Sequence, residues 1–122
     1  MPHISSRKVS KKTFTVMTKY LSLFLSETSK ESRTRIFQEI ATPTEQIMIA
    51  KRLAVIFLLN KRVSTYKICE ILKISESTAA RYVQAYEAGA YKETTKLLSR
   101  ESSSSPIIKA LLDLVSIPFE IR

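Results

Sequence analysis

The chain has 122 residues, among them one glycine, one histidine and one cysteine, so several classes of site are excluded at once. Phosphate-binding loops of the G-x-G-x-x-G or P-loop type need several glycines. His3 and Cys69 are too few for a metal site built from such ligands, and we expect neither a metal ion nor enzymatic activity. With 20 Lys+Arg against 11 Asp+Glu, the formal net charge is +9, which indicates a polyanionic partner. Nucleic acid is the simplest such partner, and an anionic membrane surface is the alternative.

The sequence also predicts a cytoplasmic protein without a membrane segment. Its longest apolar run, Leu53 to Leu59, has seven residues, and a bilayer span needs about 20. Residues 1–8 lack the apolar stretch of a secretory signal. The lone Cys69 fits a reducing compartment and is expected to be a small core residue rather than a redox sensor.

Apolar residues recur every three or four positions nearly throughout, which predicts an all-α fold without strands. A Thr28-x-x-Glu31 capping box is expected to open the second helix. Thr42, Pro43 and Glu45 mark the start of a third, which is so widely apolar that we expect it at the centre of the fold. In chain order the helices are expected at about 13–26, 29–40, 43–60, 65–73, 76–88, 91–99 and 106–116.

Charge and composition divide the chain into four parts. Residues 1–40 carry eight basic and three acidic residues, residues 41–92 carry eight and four, and residues 93–122 carry four and four. The predicted parts are a basic tail (1–12), a helical DNA-binding domain (13–99), a Ser-rich linker (100–105) and a C-terminal helical extension (106–122). The tail could track phosphates with Arg7, Lys8, Lys11 and Lys12 or be a solvated terminus, and the extension could pack on the domain, cover a dimer or bind another protein.

Residues 65–84 have the pattern of a helix-turn-helix, two short helices joined by a tight turn. Cys69 supplies a small side chain where the helices are expected to cross. Lys73 stands where such turns usually place a left-handed Gly, which costs a non-Gly residue about 1 kcal/mol. The residues expected to face inward are Ile68, Leu72, Ile74, Ala79, Tyr82 and Val83.

The second helix of this motif presents polar residues on its other face. Arg81 has the chemistry to bind guanine and Gln84 to bind adenine. Glu76 either accepts from cytosine or only complements the helix dipole, and we favour the dipole. The candidate DNA-binding residues are Ser64, Tyr66, Lys67, Ser75, Glu76, Ser77, Thr78, Ala80, Arg81 and Gln84.

The chain resembles the Trp repressor superfamily, and most closely its YerC-like branch, over about residues 13–98. The resemblance rests on Thr42-Pro-Thr-Glu-Gln, Ala50-Lys-Arg-Leu, Ser64-Thr-Tyr-Lys-Ile, Ser77-Thr-Ala-Ala-Arg-Tyr and Gly89-Ala-Tyr. It implies a sequence-specific transcriptional regulator, a repressor, that binds double-stranded DNA as an intertwined all-helical homodimer. Its two helix-turn-helix units would enter successive major grooves about 34 Å apart.

The resemblance also raises the question of a ligand. Arg52 and Arg81 match the two arginines that clamp an amino-acid corepressor in the Trp repressor. Tyr82 stands where that repressor has Gly, and its ring would occupy the space near the ligand. We therefore expect no cofactor, with an amino-acid corepressor as the alternative.

Two other classes of function stay open at this point. The chain could be the DNA-recognition module of a transposase-type system, since such enzymes carry similar helix-turn-helix heads. Catalysis would then lie on another chain, because Asp113 is the only aspartate and no acidic triad is evident. Alternatively, the helices could form the docking surface of a protein-interaction adaptor that does not bind DNA.

Overall fold

The computed structural model describes residues 8–102 and 104–116, which form seven α-helices and, within those ranges, no β-strand. The all-α prediction is therefore confirmed, and the predicted helix bounds lie within two residues of the observed ones. Within the described part, no helix is long and apolar enough to cross a membrane. The helices are α1 Lys11–Glu27, α2 Lys30–Ile40, α3 Pro43–Asn60, α4 Thr65–Leu72, α5 Glu76–Glu87, α6 Lys92–Arg100 and α7 Pro106–Ser116.

Hydroxyl side chains cap the starts of six helices, α1 to α5 and α7. In each, the side-chain oxygen accepts a hydrogen bond from the backbone N–H three residues further on, at 3.2–3.3 Å. This bond satisfies one of the N–H groups that a helix start leaves without a helical partner. The capping residues are Ser10, Ser29, Thr42, Ser64, Ser75 and Ser105.

Two of these starts bear directly on the sequence predictions. At α3 the N–H of Thr42 also donates to Glu45 Oε1 at 2.8 Å, so the predicted capping box is present. The prediction for α2 was wrong by one residue, because Ser29 and not Thr28 is its N-cap. The Thr28 hydroxyl donates instead to the carbonyl oxygen of Phe24 at 2.8 Å and is thereby engaged at the end of α1.

The basic tail also ends earlier than predicted. Ser10 caps α1, so Lys11 and Lys12 belong to its first turn, and Lys8 is exposed. His3 and Arg7 lie outside the described residues.

The chain divides into two units, of which the N-terminal unit is Met1–Met48. None of its described residues is buried. The apolar stripes that the sequence predicts are present, but they face solvent, with Leu21 57% and Ile40 78% exposed. An apolar groove of about 590 Å³, called here the α1–α2 groove, is lined by Tyr20, Leu21, Phe24, Leu25, Arg33, Thr34, Ile36, Phe37 and Ile40.

The C-terminal unit, Ile49–Arg122, has a hydrophobic core of its own. The second half of α3 supplies most of it, and α4, α6 and α7 each add one or two residues. Half-buried side chains, among them Tyr82 and Tyr86 of α5, pack against this core. Its buried members are Ala54, Val55, Ile56, Phe57, Leu58, Ile68, Leu72, Leu98 and Ile108.

The prediction that α3 lies at the buried centre of the fold holds for its second half. Ile47, Ile49 and Leu53 are 57%, 45% and 41% exposed, whereas residues 54–58 are at most 4% exposed. The core of the C-terminal unit forms around residues 54–58 of α3. Both halves of this helix are apolar, so apolar composition alone did not predict which half is buried.

Three helices of the C-terminal unit end on a residue in the left-handed conformation. These residues are Arg62 (φ 60°), Lys73 (φ 56°) and Gly89 (φ 83°). At each end a backbone N–H reaches back five residues: Val63 to Leu58 at 3.0 Å, Ile74 to Cys69 at 3.3 Å, and Ala90 to Ala85 at 3.0 Å. This hydrogen bond and the left-handed residue before its donor are the marks of a Schellman-type helix stop. The left-handed positions of Lys73 and Gly89 match the sequence prediction.

Candidate nucleic-acid interface

The helix-turn-helix is formed by α4 and α5, which pack against each other. Ile68 and Leu72 of α4 are 1% and 6% exposed, and Ala79 of α5 is 2% exposed. Tyr82 and Val83 are half-buried. The inward-facing residues predicted from the sequence therefore lie inside, with the two largest on α5 covered only in part.

The turn between the two helices occupies three residues. Lys73 adopts φ 56° and ψ 50° and ends α4. Ile74 follows and packs, half-buried, against the core. Ser75 returns to an extended conformation and caps α5. Cys69 is half-buried and lies in α4, one turn before the stop, where its carbonyl oxygen accepts the Ile74 N–H.

The outer face of α5 is fully available to a partner. All five side chains predicted to point away from the core are exposed, whereas Thr78 is half-buried. A helix with this division of faces can lie in a major groove while its other side stays packed against α4. The exposed five are Glu76, Ser77, Ala80, Arg81 and Gln84.

The first turn of α5 is well ordered by its cap. Ser75 Oγ accepts the Thr78 N–H at 3.2 Å, donates to Thr78 Oγ1 at 2.9 Å and lies 3.1 Å from Ser77 Oγ. The N–H groups of Glu76 and Ser77 have no helical carbonyl within reach at this end. Such amides, together with the positive end of the helix dipole, are suited to bind a phosphate oxygen.

The start of α4 offers a second polar surface. Ser64 is the N-cap and accepts the Lys67 N–H at 3.3 Å. Tyr66 is 70% exposed, and Lys67 is exposed beside it. A hydroxyl, a phenol and an ammonium group at a helix start have the chemistry of phosphate contacts.

The segment that contains these two surfaces carries an excess of positive charge. Residues 49–92 contain eight Lys and Arg residues and three Glu residues. All eight basic side chains are exposed except that of Lys51, which is half-buried. An excess of five positive charges on 44 residues favours a phosphate-rich partner.

The two candidate ligand residues lie on different helices. Arg52 is exposed on α3 and Arg81 is exposed on α5. Tyr82, next to Arg81, packs half-buried against the core, so its ring adds bulk to this region of α5. No group of three or more His, Cys, Asp or Glu residues able to hold a metal ion occurs within the described ranges.

Sequence reasoning missed one basic residue near the interface and left one helix unassigned. Arg62 lies in the short connection from Asn60 to Ser64, and the tightness of that connection was the available signal for a left-handed residue. The helix α7 packs on the domain, since Ile108 is 3% exposed within the core and Leu111 and Leu114 lie against it. Of the three roles open for this helix, the structure shows the first.

Comparison with protein-family models finds a match over part of the chain. Residues 49–92 match the family model of a homeodomain-like domain, which contains a helix-turn-helix. No curated protein and no solved structure matches the chain. The match spans the last two-thirds of α3, the two motif helices and the turn after them, and it supports DNA binding. Over its described residues the chain is thus all-helical, and residues 49–92 are similar to a homeodomain-like helix-turn-helix domain.

Proposed function

We propose that the protein is a sequence-specific transcriptional regulator that binds double-stranded DNA and has no catalytic activity of its own. The observation that carries this proposal is the exposed face of α5, where Ser77, Ala80, Arg81 and Gln84 stand opposite the packed Ala79. Lys and Arg side chains of the C-terminal unit neutralise phosphates, and the α5 face reads base edges in the major groove.

The proposed sense of regulation is repression by a homodimer. The sequence resemblance to the Trp repressor superfamily supports both parts. The dimer has a second, physical support, because the N-terminal unit buries none of its described residues and exposes the α1–α2 groove. Short helices whose apolar faces are not buried are only marginally stable in water. Packing against α1 and α2 of a second copy would bury these faces.

Regulation is proposed to need no cofactor, and the protein is proposed to act in the cytoplasm. The bulk of Tyr82 beside Arg81 argues against an amino-acid corepressor held by Arg52 and Arg81. The lone Cys69 fits a reducing compartment.

Binding of the full chain to a random-sequence duplex pool at two salt concentrations tests the proposal. We expect tight binding at low salt, with the log of affinity falling by about 0.9 per neutralised phosphate per log unit of salt. Selection from the pool should then yield a preferred sequence with two half-sites about 34 Å apart. Absence of binding at low salt would contradict DNA binding and favour the hypothesis of a protein-interaction adaptor.

A second candidate is the DNA-recognition module of a transposase-type system. The observation that favours it is the homeodomain-like match itself, which covers residues 49–92 and none of the N-terminal unit. The selected sequence separates the two candidates. Sites that fall in promoters support the regulator, whereas sites at the ends of a mobile element support the module.

A further inference from the structure

The three left-handed helix stops of the C-terminal unit differ in their central residue. Gly89 is the residue that such a stop prefers, and a Cβ there would lie 2.8 Å from Lys92 Cε. Arg62 and Lys73 occupy the same conformation with full side chains. Backbone preference alone therefore favours Gly at both positions, and the presence of two cations needs another explanation.

Contacts within the molecule do not supply that explanation. Arg62 and Lys73 are both exposed, and neither side chain has a hydrogen-bond or ion-pair partner in the described part of the chain. Neighbouring Lys61 is different, since its Nζ lies 5.8 Å from the centre of the Phe57 ring. Among the residues that the structure describes, the side chains of Arg62 and Lys73 thus make no contact that stabilises the fold and that would be lost on substitution by Gly.

The spacing of Arg62 and Lys73 along α4 is comparable to the width of the DNA major groove. Arg62 precedes α4 and Lys73 ends it, so they lie at opposite ends of this helix. A helix of eight residues is about 12 Å long, which is also about the width of the major groove. In a helix-turn-helix the recognition helix lies in the major groove while the first helix crosses the DNA backbone.

We propose that Arg62 and Lys73 are phosphate-binding residues that contact opposite strands at the two edges of the major groove. They hold α4 across the groove and thereby set the depth and direction with which α5 enters it. These contacts are independent of base sequence and add to those made at the starts of α4 and α5. The inference rests on the proposed DNA binding and deepens it by naming the residues that orient the motif.

The test uses Arg62→Gly and Lys73→Gly in the full chain. Both variants should melt at the wild-type temperature or above it, because Gly accepts the left-handed conformation without strain. Each substitution removes one phosphate contact per chain and so two per proposed homodimer, which should lower the salt slope for a random duplex by about 1.8. If variant and wild type bind equally at 1 M salt, the variant dimer should then bind about 60-fold more weakly at 0.1 M salt. Arg62→Asn and Lys73→Asn, which also tolerate this conformation, should bind as weakly as the Gly variants.

Lys109→Ala is the matched control, since Lys109 is exposed on α7 and its loss changes the net charge equally. If the Gly variants had the same affinity and salt slope as this control, the inference would be overturned. The proposed function would still stand in that case, because the wild type binds the duplex. Phosphate ethylation interference on a selected duplex locates the phosphates that the protein contacts. Within one half-site, Arg62→Gly should lose the interference at a phosphate on one strand. Lys73→Gly should lose it at a phosphate on the other strand. If both variants lost interference on the same strand of one half-site, contact across the groove would be refuted. A wild-type protein that binds no duplex overturns the proposed function and this inference with it.

Discussion

Ser75 and Thr78 are joined by two hydrogen bonds at the first turn of α5. Ser75 Oγ accepts the Thr78 N–H at 3.2 Å and donates to Thr78 Oγ1 at 2.9 Å. The cap thus orders the turn that would meet DNA first. Because the hydroxyl is used within the protein, the effects of this residue on stability and on DNA binding can be separated by substitution.

Ser75→Asp should keep the stability of the protein and lose DNA affinity. Asp is as good an N-cap as Ser and complements the helix dipole, but its carboxylate would face phosphates. Thermal melts and duplex binding measure the two effects. Ser29→Asp, the same change at the N-cap of α2, is the control and should leave binding unchanged. Equal losses in both variants would contradict a role for the α5 start in phosphate binding.

Arg81→Ala should weaken binding to a selected site by about 1–3 kcal/mol more than binding to random DNA. The reason is that a bidentate contact to guanine discriminates among bases, whereas phosphate contacts do not. Affinities for both duplexes give the difference directly. Arg100→Ala, at an exposed residue that ends α6, is the control and should show no such difference. An equal loss on both duplexes would show that Arg81 binds phosphate only.

Leu98→Ala should lower the free energy of unfolding by about 2–5 kcal/mol, because it opens a cavity in the core of the C-terminal unit. Its neighbour Leu97 is 43% exposed against 3% for Leu98, so Leu97→Ala should cost less than about 1 kcal/mol. Denaturant unfolding of both variants checks the pair. Similar costs for the two would contradict the packing of α6 on the core.

Leu21→Glu should convert the proposed homodimer into a monomer. This residue lines the α1–α2 groove, and a buried unpaired carboxylate there is strongly unfavourable. Light scattering at matched concentrations reads the mass. Ser22→Glu, next to it and outside the groove lining, is the control and should stay dimeric. A wild-type protein with the mass of one chain would refute the dimer itself.

Gly89→Ala should destabilise the protein by about 1 kcal/mol, because its φ of 83° is unfavourable for a residue with a Cβ. The double variant Gly89→Ala/Lys92→Ala removes the side chain that the new Cβ would meet. We expect it to be no more stable than the single variant, as measured by denaturant unfolding. Full recovery would show that contact with Lys92, rather than backbone conformation, is the cause.

Much of the fold could be read from local signals. The Thr42–Glu45 capping box, the stop at Gly89 and the turn around Lys73 all depend on residues within a few positions of one another, and each is present as predicted. The error at Thr28 has the same local origin. Thr28 and Ser29 can both cap a helix; in the structure the Thr28 hydroxyl is bonded to the Phe24 carbonyl at the end of α1, and Ser29 is the cap of α2.

The sequence by itself determined the helices, the position of the helix-turn-helix and the excess of positive charge, because periodicity, caps and composition are properties of short segments. Only the tertiary structure decided which apolar stripes are buried. Leu58 and Leu53 look alike in the sequence, yet one is 0% and the other 41% exposed. Burial depends on which distant segments meet, and packing of Ile108 from α7 against the core is a contact that no local pattern specifies.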